Sequence, residues 1–391
     1  FDAWFGFYDL ELYSNFTYFL NDPVNGDQFE QNDGRYFGGF NYARTTEHEL
    51  SGLESETKIG VQTRYDWISD LGLYLSQDNR RLKTVRKDDI DSGNISVFAE
   101  NETQISDTFK AGFGVRADYF TFDVESDNPL NSGDKSDEII SPKLNLVFGP
   151  WNETEFYVNA GFGFHSNDAR GVTIAVDPND GVTPVDPVDP LVRTKGAELG
   201  VRTSVAETST FTGTLWYLES DSELVFVGDG GATEPSDGSE RWGIEITYYW
   251  RPNDWLAVDA EYAFVDAKFV GVDPGFSQIP NSIDHSAAAG ITFDGGAGWF
   301  GSLRARYFAP RPLEESGQVE SKDSLMVNGR IGYRQNNWEV GLDILNMLDG
   351  NDIDIEYYYE SRLPGESAGV EDIHFHPVEP RQARVYALLR F

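Results

Sequence analysis

The amino-acid sequence predicts an all-β fold, a transmembrane antiparallel β-barrel, on three observations. Apolar and polar residues alternate with period two over most of the chain, the pattern of a sheet whose two faces meet different surroundings. Long and short connections alternate between these stretches. Aromatic residues reach 14% while the hydrophobic fraction is only 39% and the mean hydropathy −0.45. Such a chain cannot fill a thick apolar core, but it can coat one side of a rolled sheet.

The strands read off in order. In 58–67, Ile59, Val61, Thr63, Tyr65 and Trp67 oppose Lys58, Gly60, Gln62, Arg64 and Asp66. In 109–118, Phe109, Ala111, Phe113, Val115 and Ala117 oppose Lys110, Gly112, Gly114, Arg116 and Asp118. Phe156, Val158, Ala160, Phe162 and Phe164 share a face, and Leu325, Val327, Ile331 and Tyr333 oppose Asn328, Arg330 and Arg334. The last strand, 381–391, sets Ala383, Val385, Ala387, Leu389 and Phe391 against Arg384, Tyr386 and Arg390. Counted this way the chain holds about 17 strands. The faces bearing Ile59, Val61, Phe113, Val115, Phe162 and Leu389 are expected to meet lipid. Those bearing Arg64, Arg116, Arg330 and Arg390 are expected to face the lumen, because a cation at the bilayer midplane costs about 2–4 kcal/mol.

Connections sort by length. Read backward, 347–379, 311–320, 268–281, 228–238, 168–192 and 124–137 are long. Between them 335–337, 294–298, 251–254, 205–209, 150–153 and 104–108 are tight. Outer-membrane barrels have short periplasmic turns and longer extracellular loops, whereas a Greek-key sandwich has no reason to sort them. Trp67, Trp151, Trp250, Trp255, Trp299 and Trp338 are expected near the tight turns, where an indole ring suits the membrane–water interface.

Composition excludes several function classes. No run of about 18 apolar residues exists, so no transmembrane helix is available. Net charge is −36, with 66 acidic and 30 basic residues, which argues against a nucleic-acid partner. The absence of cysteine removes disulfide scaffolding, thiol catalysis and thiolate metal sites. No nucleophile elbow, P-loop or zinc-protease helix motif appears, so the chain is read as a non-enzyme with neither cofactor nor metal site.

Several segments carry a family resemblance. Ser141-Pro142-Lys143-Leu144, then Gly149-Pro150-Trp151 and the run from Gly163 through His165, Asp168 and Arg170 to Gly171, resemble the mid-barrel of TonB-dependent outer-membrane receptors. So do Gly196-Ala197-Glu198-Leu199-Gly200, the stretch Ser222 to Asp229, and Asp343-Ile344-Leu345-Asn346-Met347-Leu348-Asp349 ahead of a long loop and the terminal strand. The resemblance covers essentially all 391 residues, as a single barrel domain. Receptors of this family have about 22 strands around a plug. The resemblance therefore implies that the plug, the TonB-contacting segment and about five strands lie outside this sequence. It also implies a location in the Gram-negative outer membrane and active import of a scarce nutrient. An iron–siderophore or other metal chelate would be carried by a monomer energised by the TonB complex. A passive porin is the alternative, since barrels of 16–18 strands form open channels.

Candidate ligand residues lie where loops converge. In 347–379, nine acidic residues accompany Tyr357, Tyr358, Arg362, His374 and His376. His374 and His376, two apart on an extended segment, share a side with Asp372. The tyrosines can stack on a ligand, and the histidines can ligate or hydrogen-bond it; packing of the loop into the barrel mouth is the competing role. His165, Asp168 and Arg170 stand at the base of 168–192 and can line a vestibule or simply brace the rim. Arg304, Arg306 and Arg311 can grip an anionic chelate or balance neighbouring acids.

Overall fold

The computed structural model describes residues 1–206, 208–227 and 232–390. Sixteen strands form one antiparallel sheet: Asp2–Ser14, Phe29–Leu50, Leu53–Gln77, Arg80–Ser106, Phe109–Ser126, Gly133–Trp151, Thr154–Ser166, Leu191–Val205, Ser209–Ser220, Ser239–Asn253, Leu256–Phe269, His285–Asp294, Gly298–Phe308, Ser324–Gln335, Trp338–Leu345 and Gln382–Leu389. Each pairs with the next one in this series. The count is sixteen rather than about 17. Further strands form two separate hairpins inside loops, Leu224–Val227 with Ala232–Pro235 and Ile353–Ser361 with Val370–Pro377. Helix among the described residues is confined to Ala169–Thr173 and two 3-10 turns, Pro129–Asn131 and Pro274–Phe276.

The sheet is rolled, because the loops beside its first and last strands meet. The Phe19 N–H donates to the Arg362 carbonyl at 3.0 Å, and the Arg362 N–H donates to the Thr17 carbonyl at 3.1 Å. At one end the connections are tight: 51–52, 107–108, 152–153, 206–208, 254–255, 295–297 and 336–337. Asn152 and Glu153 have φ of 49° and 63°, the left-handed pair that matches hairpin twist. The opposite end carries 15–28, 167–190, 270–284, 309–323 and 346–381. Phe391 lies outside the described residues, as does part of the 228–238 loop.

Two expectations are corrected here. Residues 124–137 are not a long loop: the Phe109–Ser126 and Gly133–Trp151 strands run on and pair as far as Val124 with Gly133. They continue because Phe122 and Val124 are buried against another loop, so the ladder there has an apolar face to cover. Trp67 is not at a tight turn either. It sits well inside Leu53–Gln77, beside a bulge between Ile68 and Leu71 where Asp70 takes φ 61°. A bulge inserts an unpaired residue and locally resembles a turn in sequence. Trp151, Trp250, Trp255, Trp299 and Trp338 do lie at the tight turns. Trp299 and Trp338 flank Tyr333, with ring centroids 5.4 and 5.8 Å away, forming part of an aromatic belt.

The two faces separate by chemistry. Ile59, Phe113, Val115, Phe162 and Leu389 are exposed on the outside, with Val61 partly covered. The other face is a ladder of ion pairs. Arg116 bonds Asp118 and also donates to Gln62 and Ser96 on neighbouring strands. Arg64 pairs with Asp66, Arg330 with Asp343, and Arg334 with both Asp294 and Glu339. Glu339 also accepts from the Tyr386 hydroxyl and approaches Arg390. The Tyr386 ring lies across Gly341, where any Cβ would meet it at 2.4 Å, so only glycine fits beneath that ring. Charges held on a wet inner wall keep partners within reach without entering lipid.

Candidate functional site

Two clusters of candidate residues stand at the long-loop end. The first is the hairpin Ile353–Ser361 with Val370–Pro377. Its register sets Tyr357 opposite His374 and Ile355 opposite His376, so these side chains share one face with Tyr359 and Asp372. His374 stacks flat on Tyr359, with centroids 3.9 Å apart and planes within 8°. Tyr18, brought in by the 15–28 loop, closes the other flank of His374 at 5.9 Å. The His374 Nε2 is covered and has no hydrogen-bond partner. His376 is open, with Nδ1 3.8 Å from the Asp354 carboxylate. Tyr358 lies on the opposite face, where its hydroxyl donates to Glu371 at 3.2 Å.

Arg362 takes a different place from the histidines. Its backbone makes the rim contact with 17–19, and its Nε donates to the Glu366 carbonyl at 3.0 Å. The hairpin thus gathers Tyr357, His374 and His376 and leaves Tyr358 and Arg362 apart. Sequence reasoning missed Tyr359 and Tyr18. The i, i+2 spacing of Tyr357 and Tyr359 was a usable signal for the first, whereas Tyr18 arrives from a loop more than 300 residues away in sequence. No group of three His, Asp or Glu suited to a metal occurs among the described residues.

The second cluster lies inside the wall. His165 ends its strand with a buried, unpartnered Nε2. Asp168 caps the Ala169–Thr173 helix, accepting from the Arg170 N–H at 2.8 Å and pairing with the Arg170 guanidinium at 2.8 Å. Burial pushes the Asp168 carboxyl up, but the Arg170 charge, its hydrogen bonds and Arg86 outweigh this and hold it below its ordinary value. Arg86 pairs with Asp88 at 2.6 Å, both side chains almost completely buried, and donates to the Arg170 carbonyl at 3.4 Å. A cavity of about 420 Å³ adjoins this cluster, lined by Arg35, Arg64, Asp66, Phe120 and Asp168 among others. Its arginines are engaged: Arg35 pairs with Asp33 and reaches Asp66 at 3.8 Å. Among the remaining arginines, Arg304 pairs with Asp259, Arg306 covers the Phe308 ring, and buried Arg311 donates to Asn281.

Comparison with known proteins places this architecture. The family model for the TonB dependent receptor-like β-barrel matches residues 1–347. No curated protein matches the chain. Among solved structures, the ferric yersiniabactin uptake receptor FyuA from Yersinia pestis superposes with a TM-score of 0.68 at 12% identity, over 93% of this chain and 55% of that one. The ferripyoverdine receptor of the Pseudomonas aeruginosa outer membrane gives 0.70 at 10% identity, over 98% and 52%. The siderophore receptor PiuA from Acinetobacter baumannii gives 0.66 at 14%, over 92% and 56%. The chain spans a little over half the length of these receptors, and at such identities the likeness is one of fold. Ordered hairpins, a charged inner wall, an aromatic belt and a matching family model over most of the sequence lead to one assignment: the chain belongs to the TonB-dependent receptor-like β-barrel family.

Proposed function

We propose that this barrel serves a receptor that captures a metal chelate, of the iron–siderophore class, at its extracellular rim and imports it with energy from the TonB complex. Barrels of this family reside in the outer membrane of Gram-negative bacteria, and this one is an outer-membrane transport barrel. The single observation that carries the reading is the aromatic–imidazole face of Tyr18, Tyr357, Tyr359 and His374, set where the long loops meet. Flat, partly covered rings beside a polar rim suit a chelate built on planar aromatic or heteroaromatic groups. Three structural relatives, named for ferric yersiniabactin, ferripyoverdine and siderophore recognition, support the same class. The receptor acts as a monomer, and import of this kind requires a plug and a TonB-contacting segment. A passive channel draws no support from these relatives.

The test uses the full-length receptor. Tyr359→Ala and His374→Ala should each raise the dissociation constant for a ferric siderophore about tenfold, or 1.4 kcal/mol. Uptake should stop in cells lacking TonB while binding persists. Unchanged affinity in both variants, with normal insertion, would remove the ligand role from this face. Uptake independent of TonB would favour the channel.

A further inference from the structure

We infer that the outer wall of the barrel carries a binding site for a membrane lipid whose head group bears an ammonium, with one acyl chain in an apolar groove and the head beside a row of carboxylates. The groove has a volume of about 560 Å³ and opens on the lipid side of the first five strands of the sheet. One row of paired positions crosses it: Phe5 opposite Gly38, Gly38 opposite Tyr65, Tyr65 opposite Gly93 and Gly93 opposite Thr121. Tyr65 shares its side of the strand with Ile59 and Val61, so the row looks outward.

Its floor is two glycines. A Cβ at Gly93 would meet the Tyr65 ring at 2.7 Å, and one at Gly38 would meet the Phe5 ring at 3.3 Å, so bare backbone lets both rings lie against the wall. The Tyr65 and Trp67 rings pack with centroids 4.6 Å apart and line the groove. Ile95 and Tyr119, opposite each other in the ladder and close to half exposed, line it further along the sheet. A depression of rings and aliphatic carbon on the lipid side of a spanning wall is filled by hydrocarbon, and an acyl chain is what the bilayer supplies there.

The head group is specified by the next outward-facing row, two residues nearer the long-loop end. It reads Tyr36, Trp67, Asp91, Asp123 and Asp134, each opposite the next. Three carboxylates thus follow the Trp67 indole at the spacing of adjacent strands, about 4.8 Å. All three are exposed, and none of their side chains has a hydrogen-bond or ion-pair partner among the described residues. Like charges directly opposite one another repel, so this part of the sheet gains from a cation placed on it. Glu219, elsewhere on the outer face, carries its own: Lys195, opposite lipid-facing Phe162, approaches it to 2.6 Å. The Asp91 row has none, and with the groove beside it the surface complements an amphiphile that joins an apolar chain to an ammonium. An anionic head is repelled by the same row.

The test uses the full-length receptor in phosphatidylcholine vesicles and two photoactivatable probes. Both have an octadecyl chain with a diazirine at its middle; one ends in an amine and the other in a sulfate. Mass spectrometry of the labelled peptides locates each probe. The amine should label the segments holding Tyr65, Trp67, Ile95 and Tyr119 about tenfold more than the sulfate does. Asp91→Asn/Asp123→Asn, at two exposed positions, should bring the probes level, and Thr121→Trp, which fills the groove, should lower labelling by both. Equal labelling by the two probes in the unaltered receptor, or a preference that survives the double change, would overturn the site. Sulfate labelling that rises with added magnesium would make the row a metal bridge to anionic lipid and overturn it as well. No nutrient enters the assay, so this inference and the transport reading fail separately.

Discussion

At the scale of residues, the charges under the 167–190 loop decide how firmly it is held. Arg86 and Asp88 are buried together, and removing one member of such a pair leaves the other charge stranded, at about 3–5 kcal/mol. Arg86→Met should therefore lower the urea midpoint of the folded barrel, and the double change Arg86→Met/Asp88→Leu should recover most of the loss. A double variant as unstable as the single one would show that the pair matters for its shape alone. Asp168 adds a pH dependence to folding. Burial pushes its carboxyl up, but Arg170, two residues along the same loop, and Arg86 outweigh this and hold it below the ordinary value, with Asp88, Asp33 and Arg35 nearby. The stabilisation is complete above the ordinary carboxylate pKa and fades as pH falls through the lower folded value. The urea midpoint should therefore fall on acidification below about pH 4, and a profile that Asp168→Asn leaves unchanged would assign the acid loss to other groups.

Among elements, the strands were readable and the loops were not, for one physical reason. Strands such as Phe109–Ser126 separate two environments, so each position is chosen for a side, and Val115 and Arg116 announce their faces. Val115→Arg places a cation on the lipid face and should cost about 2–4 kcal/mol near the midplane. Folding into vesicles of graded thickness measures this. A cost that does not change with vesicle thickness would contradict the assigned polarity. The hairpin Ile353–Ser361 with Val370–Pro377 has both faces in water or against other loops, so Tyr357-Tyr358-Tyr359 shows no alternation. Its strands are fixed by pairing across the turn, and only that register reveals His374 resting on Tyr359 instead of Tyr358. The Asp168–Arg170 bracing was visible as spacing, whereas the packing of its loop on Leu71, Ile90, Phe122 and Val124 joins segments far apart in sequence, which alternation cannot flag.

Across the whole molecule, the property with the widest reach is that each strand of the sheet pairs with the next strand in the series. The tight connections leave two or three residues between partners, so closing each of those hairpins loses little chain entropy. Assembly can then proceed as a succession of nearest-neighbour additions, each presenting one fresh edge to the next ribbon. The slow steps are assigned by the same rule: they are the joins across 15–28, 167–190, 221–238, 270–284, 309–323 and 346–381, where a long segment must be gathered first. Until those joins are made, the sheet carries open edges of hydrogen-bonding groups that bind other strands indiscriminately. A chain with this connectivity depends on whatever holds that growing edge during insertion, and its kinetic vulnerability is concentrated at those long joins.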